Sequence, residues 1–218
     1  MDMELLRRLA KLDSSAVSDA LDRLQLRGVA MSLTALSAPK RIVGVAVTVK
    51  LGPAGVRSTS RHLCTAAVDA SGPGCIVVID HAGRTDVAGW GGILSLGAVV
   101  RRIEGVVIDG ACRDVDETRE LGLPLYGRCA VPVTARGRII ETAWNVPVQI
   151  DGVEVQPGDA VIADGSGVAF IPSARAEEVL WISEQIVDRE RQMGEAVRAG
   201  RSVAEVMGAT YESMLSGG

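Results

Sequence analysis

The sequence predicts an α/β fold. Two short apolar runs, Cys75-Ile-Val-Val-Ile-Asp80 and Gly105-Val-Val-Ile-Asp109, each pass through a glycine-bearing loop into a helical pattern. The first leads to a helix over Ile93 to Val100, the second to a charged helix ending near Gly122. That strand–loop–helix rhythm is the mark of α/β organisation. Composition agrees, because 47% hydrophobic and 23% charged residues over 218 positions suit a packed core rather than disorder. Aromatics are only 3%, so the core is expected to consist of Val, Ala, Leu, Ile and Gly.

In chain order, residues 3–12 and 14–26 read as two short amphipathic helices, with Ser14 or Ser15 as N-cap of the second. Residues 41–51 alternate valine with small or polar residues and predict a strand. Residues 60–70 look helical, and Pro73-Gly74 turns the chain into the strand from Cys75. From 124 to 172 short strands and turns take over, as in Pro147 to Val155, which contains an Asp-Gly hairpin signal, and in Ala160 to Phe170. A long helix over 173–199 and a short one near 202–214 form a C-terminal helical extension. With no internal repeat or linker, one domain over 1–218 is expected.

Net charge is −4, so there is no basic footprint for nucleic acid, and few aromatics are available to stack on bases. No apolar run approaches the roughly 18 residues of a membrane span, and the first residues lack signal-peptide character. A soluble, cytoplasmic protein is expected. The cysteines, Cys64, Cys75, Cys112 and Cys129, form no Cys-x-x-Cys pair and read as small buried hydrophobes. His62-x-Cys64 could ligate a metal, but no second pair supports it. There is no Gly-x-Ser-x-Gly elbow for a serine hydrolase. The three lysines, Lys11, Lys40 and Lys50, read as surface residues, so carbonyl chemistry points to a metal rather than an imine.

Two features converge on chemistry. Gly89-Trp-Gly91-Gly92-Ile93-Leu94 precedes a helix, where free amides could bind an anion; it could equally be a packing turn. It is not Gly-x-Gly-x-x-Gly, so a dinucleotide site is unsupported. At the end of the second strand, Arg113 offers a planar fork for a carboxylate and Asp114 a hard oxygen ligand for Mg²⁺ or Mn²⁺. Asp114-x-x-Glu117 also approximates a capping box, and Arg113 could be a surface residue. Loops at strand C-termini are where α/β folds bind ligands.

These stretches resemble a known family. Trp90-Gly-Gly-Ile-Leu-Ser95, Gly105-Val-Val-Ile-Asp-Gly-Ala-Cys-Arg-Asp-Val-Asp116 and Leu121-Gly-Leu-Pro124 are similar to the regulator of ribonuclease activity A (RraA) and the metal-dependent 4-hydroxy-4-methyl-2-oxoglutarate/4-carboxy-4-hydroxy-2-oxoadipate aldolases. The resemblance runs from Ser18 to Pro172. It implies an α/β sandwich related to phosphohistidine swivelling domains, assembled as trimers or hexamers with sites at subunit interfaces. It implies that Arg113 binds a pyruvyl carboxylate and carbonyl, that Asp114 holds a divalent ion, and that the backbone of Gly91, Gly92, Ile93 and Leu94 cradles the substrate carboxylate. The implied reaction is retro-aldol cleavage or oxaloacetate decarboxylation of a small 2-oxo acid through a metal-stabilised pyruvate enolate.

The chain departs from the aldolases at one position. They carry an acid 21 residues before the arginine, and here that residue is Gly92. Asp86, His81 and Cys112 are the nearby groups that could replace it. Two functions follow: a divalent-metal lyase, or a non-catalytic ring protein regulating a protein partner. A methyltransferase lacks support, because no glycine-rich S-adenosylmethionine motif is present.

Overall fold

The computed structural model describes residues 2–55 and 62–208. Two N-terminal helices, α1 (Met3–Leu9) and α2 (Ser14–Arg23), precede the short strands β1 (Val29–Ala30) and β2 (Thr34–Ala35) and the long β3 (Ile42–Pro53). Then follow α3 (Thr65–Ala70), β4 (Cys75–Ala88), α4 (Gly92–Val100), β5 (Gly105–Cys112) and α5 (Val115–Glu120). Short strands come next: β6 (Leu125–Gly127), β7 (Cys129–Ala130), β8 (Ile139–Trp144), β9 (Val148–Ile150), β10 (Val153–Val155), β11 (Ala160–Asp164) and β12 (Gly167–Ile171). A turn of 3₁₀ helix over Ser173–Arg175 leads into α6 (Ala176–Arg198), and α7 (Val203–Val206) follows. The α/β expectation and the long C-terminal helix hold. The part of the first predicted α3 turn at residues 60–61, and the end of the last predicted helix beyond 208, lie outside the described residues.

Among the described residues, one sheet runs β1-β12-β11-β3-β4-β5-β6-β2, with β7 on β5 and β8 on β3. Its centre, β3-β4-β5-β6, is parallel, and its flanks are antiparallel. The apolar runs are buried on both faces, as parallel strands must be. In β4, Val77 and Ile79 face α3, α4 and Trp90, while Ile76 and Val78 face the layer holding Tyr126, Ile150 and Phe170. A third cluster packs Leu9, Val17, Leu21, Val179, Leu180 and Ile186 of α1, α2 and α6 on β11 and β12.

Several boundaries differ from the sequence reading. The N-cap of α2 is Asp13, whose Oδ1 accepts the Ala16 amide at 2.8 Å. Ser14 instead donates its hydroxyl and its amide to Asp164, tying α2 to β11. β5 continues three residues past Asp109 to Cys112, because Ala111 and Cys112 find partners on β7. β4 continues past Asp80 through an irregular stretch in which Ala82 and Gly83 take positive φ. Lys50 lies inside β3, exposed. All four cysteines are free, Cys64 and Cys112 being buried.

The Asp-Gly hairpin forms as expected, with Asp151 and Gly152 both at positive φ between β9 and β10. Its turn is fastened to the sheet by charge. Arg128 Nε donates to Asp109 Oδ1 at 2.5 Å and its Nη2 to Asp151 Oδ1 at 2.7 Å, while the Asp151 amide donates to Asp109 Oδ2 at 2.8 Å. The Asp109 side chain is 7% exposed, and removing one partner of a buried pair strands the other. Arg128→Met should therefore lower unfolding free energy by about 3 kcal/mol in a urea titration. A loss too small to resolve would show that the hairpin is held by its apolar face alone.

Candidate functional site

The site forms where β4 and β5 end and α4 and α5 begin. Gly91 is the N-cap residue of α4, with extended backbone and no side chain to cap the helix. The cap comes from the next unit of the chain. Asp114, at the end of β5, turns Oδ2 to the Gly92 amide at 3.0 Å. The same carboxylate accepts Arg113 Nε at 3.0 Å. The Gly92 amide, and behind it the Arg113 guanidinium, hold the Asp114 carboxyl below the usual carboxylate range.

The capping-box reading of Asp114 is therefore corrected. Asp114 occupies the N-cap position of α5 but sits at φ 55°, ψ 40°, and its side chain makes no cap bond to that helix. It caps α4 instead. The left-handed conformation, which aspartate tolerates better than most residues, is what turns the side chain back across the strand ends. Arg113, read alternatively as a surface residue, is 39% exposed at its side chain and fixed through its Nε and its amide, which donates to the Trp90 carbonyl at 3.0 Å.

A buried hydroxyl chain holds the two helices together. Trp90 Nε1 donates to Ser95 Oγ at 2.8 Å, Ser95 and Thr118 share a hydrogen bond at 2.9 Å, and Thr118 Oγ1 donates to the Asp114 carbonyl at 3.0 Å. Ser95 and Thr118 are fully buried. The left-handed Asp114 is thus pinned at both its carbonyl and its carboxylate.

The glycines make room for carboxylates. A Cβ on Gly91 would lie 2.9 Å from Asp114 Oδ2, and a Cβ on Gly92 would fall on the Glu117 carboxylate. Gly92 has no positive φ, so close approach, not backbone conformation, is what a side chain there would disturb. Asp114, just before α5, and Glu117, in its first turn, therefore both border Gly92, one at its amide and one where its side chain would be. Two carboxylates suit a hard divalent ion of the Mg²⁺ type, which takes one or two and keeps its waters. Among the described residues no group of three or more His, Cys, Asp or Glu gathers to hold a metal.

A cavity of about 230 Å³ opens over these groups, bordered by the α4 N-terminus through Leu94, by Arg113 and Asp114, by His62 and by Thr134 to Arg136. It is smaller than the roughly 300–1,000 Å³ of sites for drug-sized ligands, which suits a small ligand. Gly91, Gly92, Ile93, Leu94, Arg113 and Asp114 are thus brought together as the sequence suggested. His62 reaches the cavity, but the Cys64 thiol is buried, 3.9 Å from the Gly89 carbonyl, and burial pushes its pKa well up, so the His62-x-Cys64 pair is not a metal site.

None of the three groups considered in place of the lost acid borders the cavity; Glu117 does not border it either, but its carboxylate lies against Gly92, which does. Asp86 is paired with Arg84. His81 is buried with Nε2 2.8 Å from the Val87 carbonyl, and burial lowers its pKa. The Cys112 thiol is pushed up to about 12 by burial. The sequence reading assigned Glu117 to a capping box with Asp114 and so did not consider it beside Gly92; no sequence spacing shows that proximity, because Asp114 leaves the strand in a left-handed conformation. Thr134 to Arg136 carried no signal at all.

Known proteins resemble this chain in sequence and in fold. The chain is 30% identical over 201 residues to Protein DlpA of Legionella pneumophila, covering 92% of this chain but only 33% of that protein. It is 30% identical over 214 residues to a Halalkalibacterium halodurans protein named "Putative 4-hydroxy-4-methyl-2-oxoglutarate aldolase", covering 94% and 96% of the two chains. Its fold superposes on Streptomyces coelicolor RraAS2, described as an unusual member of the RNase ES inhibitor RraA protein family, with TM-score 0.79 and 27% identity over 92% of this chain and 98% of that one. The RraA-like family model, Aldolase/RraA, matches residues 14–170, and the chain belongs to that family.

Proposed function

We propose that the protein is a divalent-metal-dependent lyase that acts on a small 2-oxo acid, by retro-aldol cleavage or by decarboxylation through the enolate of pyruvate. The observation that carries this is the Glu117 carboxylate lying where a side chain at Gly92 would be. It restores, from a different position in the chain, the acid that the aldolase pattern places there. Arg113, Asp114 and Gly92 border the cavity and the Glu117 carboxylate adjoins Gly92, so an anion-binding fork, an ion ligand and an acid–base group would lie close together.

Arg113 spends Nε on Asp114, leaving its terminal nitrogens for the carboxylate and carbonyl oxygens of the substrate. The first turn of α4 leaves amides at Ile93 and Leu94 without intrahelical partners, and the helix dipole there favours the substrate carboxylate. Asp114 would hold Mg²⁺ or Mn²⁺, with Glu117 beside it. The ion would supply Lewis-acid stabilisation of the negative charge that develops on the 2-oxo group. Glu117 would hold a water and move a proton at its Oε atoms between that water and the substrate carbon. Trp90 and Leu94 wall the cavity with apolar surface, which strengthens each charged contact.

A homo-oligomer, trimer or hexamer, belongs to the same proposal. α4 exposes Ile93, Leu96 and Val100 at 81%, 44% and 73%, an apolar stripe at i, i+3 and i+7 on its outer face. Ile93 also borders the cavity, so a second copy seated on this stripe would lie beside the site. The competing reading, a non-catalytic ring protein regulating a partner, gives no reason for Glu117 to stand beside Asp114. No helix among the described residues is long and apolar enough to cross a membrane.

The direct test is pyruvate release from 2-oxo acid aldols and from oxaloacetate, with and without Mg²⁺ or Mn²⁺. Metal-dependent release is expected, and Glu117→Ala should reduce it about 10²–10⁴-fold. Adding Gly92→Asp to that variant should recover part of the loss, since the carboxylate that blocks a Cβ at 92 is then gone. No release from any substrate, with or without metal, would favour the regulator.

Asp114→Asn separates capping from ligation. Asparagine caps as well as aspartate and tolerates the left-handed backbone, so the melting temperature should hardly move. Mn²⁺ affinity should fall by more than the roughly 10–100-fold that loss of an outer-shell partner costs. Equal affinity in both proteins would reduce Asp114 to a cap. Sedimentation at micromolar concentration should show a trimer or hexamer; a monomer would contradict the assembly.

A further inference from the structure

The far side of the cavity is formed by a turn that nothing so far explains. It leaves the sheet between β4 and β5: the Val131 amide donates to the Cys112 carbonyl at 2.8 Å and the Ala88 amide to the Val133 carbonyl at 3.0 Å. It closes on itself through the Arg138 and Ile139 amides, which donate to the Ala135 carbonyl at 2.9 and 3.0 Å, and through Arg138 Nη1, which donates to the Thr134 carbonyl. The Arg136 amide turns back to Thr134 Oγ1 at 3.3 Å. The segment leading to Arg136 is therefore tied to the ends of β4 and β5, next to Arg113 and Asp114, and the turn is closed by its own backbone bonds.

Thr134, Ala135 and Arg136 border the cavity. Yet among the described residues the Arg136 guanidinium has no hydrogen bond or ion pair, whereas Arg113 is matched by Asp114. At the α4 end of the cavity Arg113 is thus paired with Asp114, and the turn brings an exposed guanidinium that no described residue pairs. An unmatched guanidinium on a built turn is a receptor for a second anion, and its planar fork fits a carboxylate.

We propose that Arg136 is a specificity-determining residue. It binds a carboxylate at the end of the substrate remote from the 2-oxo group, so that the site selects 2-oxo acids with a distal carboxylate over those of equal length ending in a methyl group. This rests on the 2-oxo acid reading of the site. The cavity, about 230 Å³, or roughly eight waters' share of liquid volume, is sized for a short-chain diacid rather than a nucleotide.

The test uses two acids that differ only at that end, 2-oxoglutarate and 2-oxopentanoate, titrated calorimetrically into the protein with Mn²⁺, with pyruvate as reference. Wild type should bind 2-oxoglutarate about 10–100-fold more tightly than 2-oxopentanoate, the range of one charge-assisted contact. Arg136→Gln should bring the two affinities together, and Arg136→Lys, which keeps charge but loses the fork, should retain part of the gap. Equal affinities in wild type, or a substitution that weakens both acids alike, overturn the role of Arg136 while leaving the 2-oxo acid reading intact. Failure of all three acids to bind overturns that reading and this inference with it.

Discussion

One hydrogen bond organises this molecule's working end: the Asp114 carboxylate on the Gly92 amide. A helix begun by two glycines has no side chain of its own to satisfy its first amides, and an uncapped start is costly. The chain solves this from a distance, by a residue at the end of the following strand. The solution fixes much else. Asp114 must leave β5 in a left-handed conformation to face back, and position 91 must lack a Cβ for the carboxylate to come near. Arg113 is then drawn to the same spot by its neighbour's charge. Capping, ion pairing and the proposed ligation all depend on one anion held at a helix N-terminus, where the dipole favours it.

The surroundings are built to keep that anion still. Trp90, Ser95 and Thr118 link α4 to the Asp114 carbonyl through buried hydrogen bonds, and satisfied buried networks of this kind rigidify the groups they join. The parallel strands behind them, Ile76–Ile79 and Val106–Ile108, are wholly buried and give both helices a common floor. A site that binds small, highly charged molecules gains from such prior order, because little entropy is left to lose when the ligand arrives.

The fold was legible where pattern and burial coincide. Cys75–Asp80 and Gly105–Asp109 announce strands, the Asp-Gly pair announces its hairpin, and all appear where expected. Boundaries slipped where a partner far along the chain decides them: Cys112 stays in β5 only because β7 arrives beside it, and Ser14 serves Asp164 rather than its own helix. Of the candidate site, the sequence shows the residue types and not their contacts. Arg113, Asp114 and the Gly91–Leu94 loop stand out as residue types at a strand end. Asp114 was legible as a cap, but the helix it caps was not, since sequence shows neighbours along the chain and not across a sheet. Glu117 was hidden by that error. Arg136 was hidden because a turn after an edge strand has no pattern to read.

The central claim, that Asp114, Glu117 and Arg113 form one metal-and-oxo-acid site at the α4 N-terminus, is tested most directly by a crystal structure of the protein grown with Mn²⁺ and oxamate, an unreactive isostere of pyruvate. The account predicts an anomalous manganese peak bordered by Asp114 and Glu117, with the oxamate carboxylate on Arg113 and the first turn of α4. Manganese bound elsewhere, or a cavity holding neither ion nor acid at saturating concentrations, would contradict it.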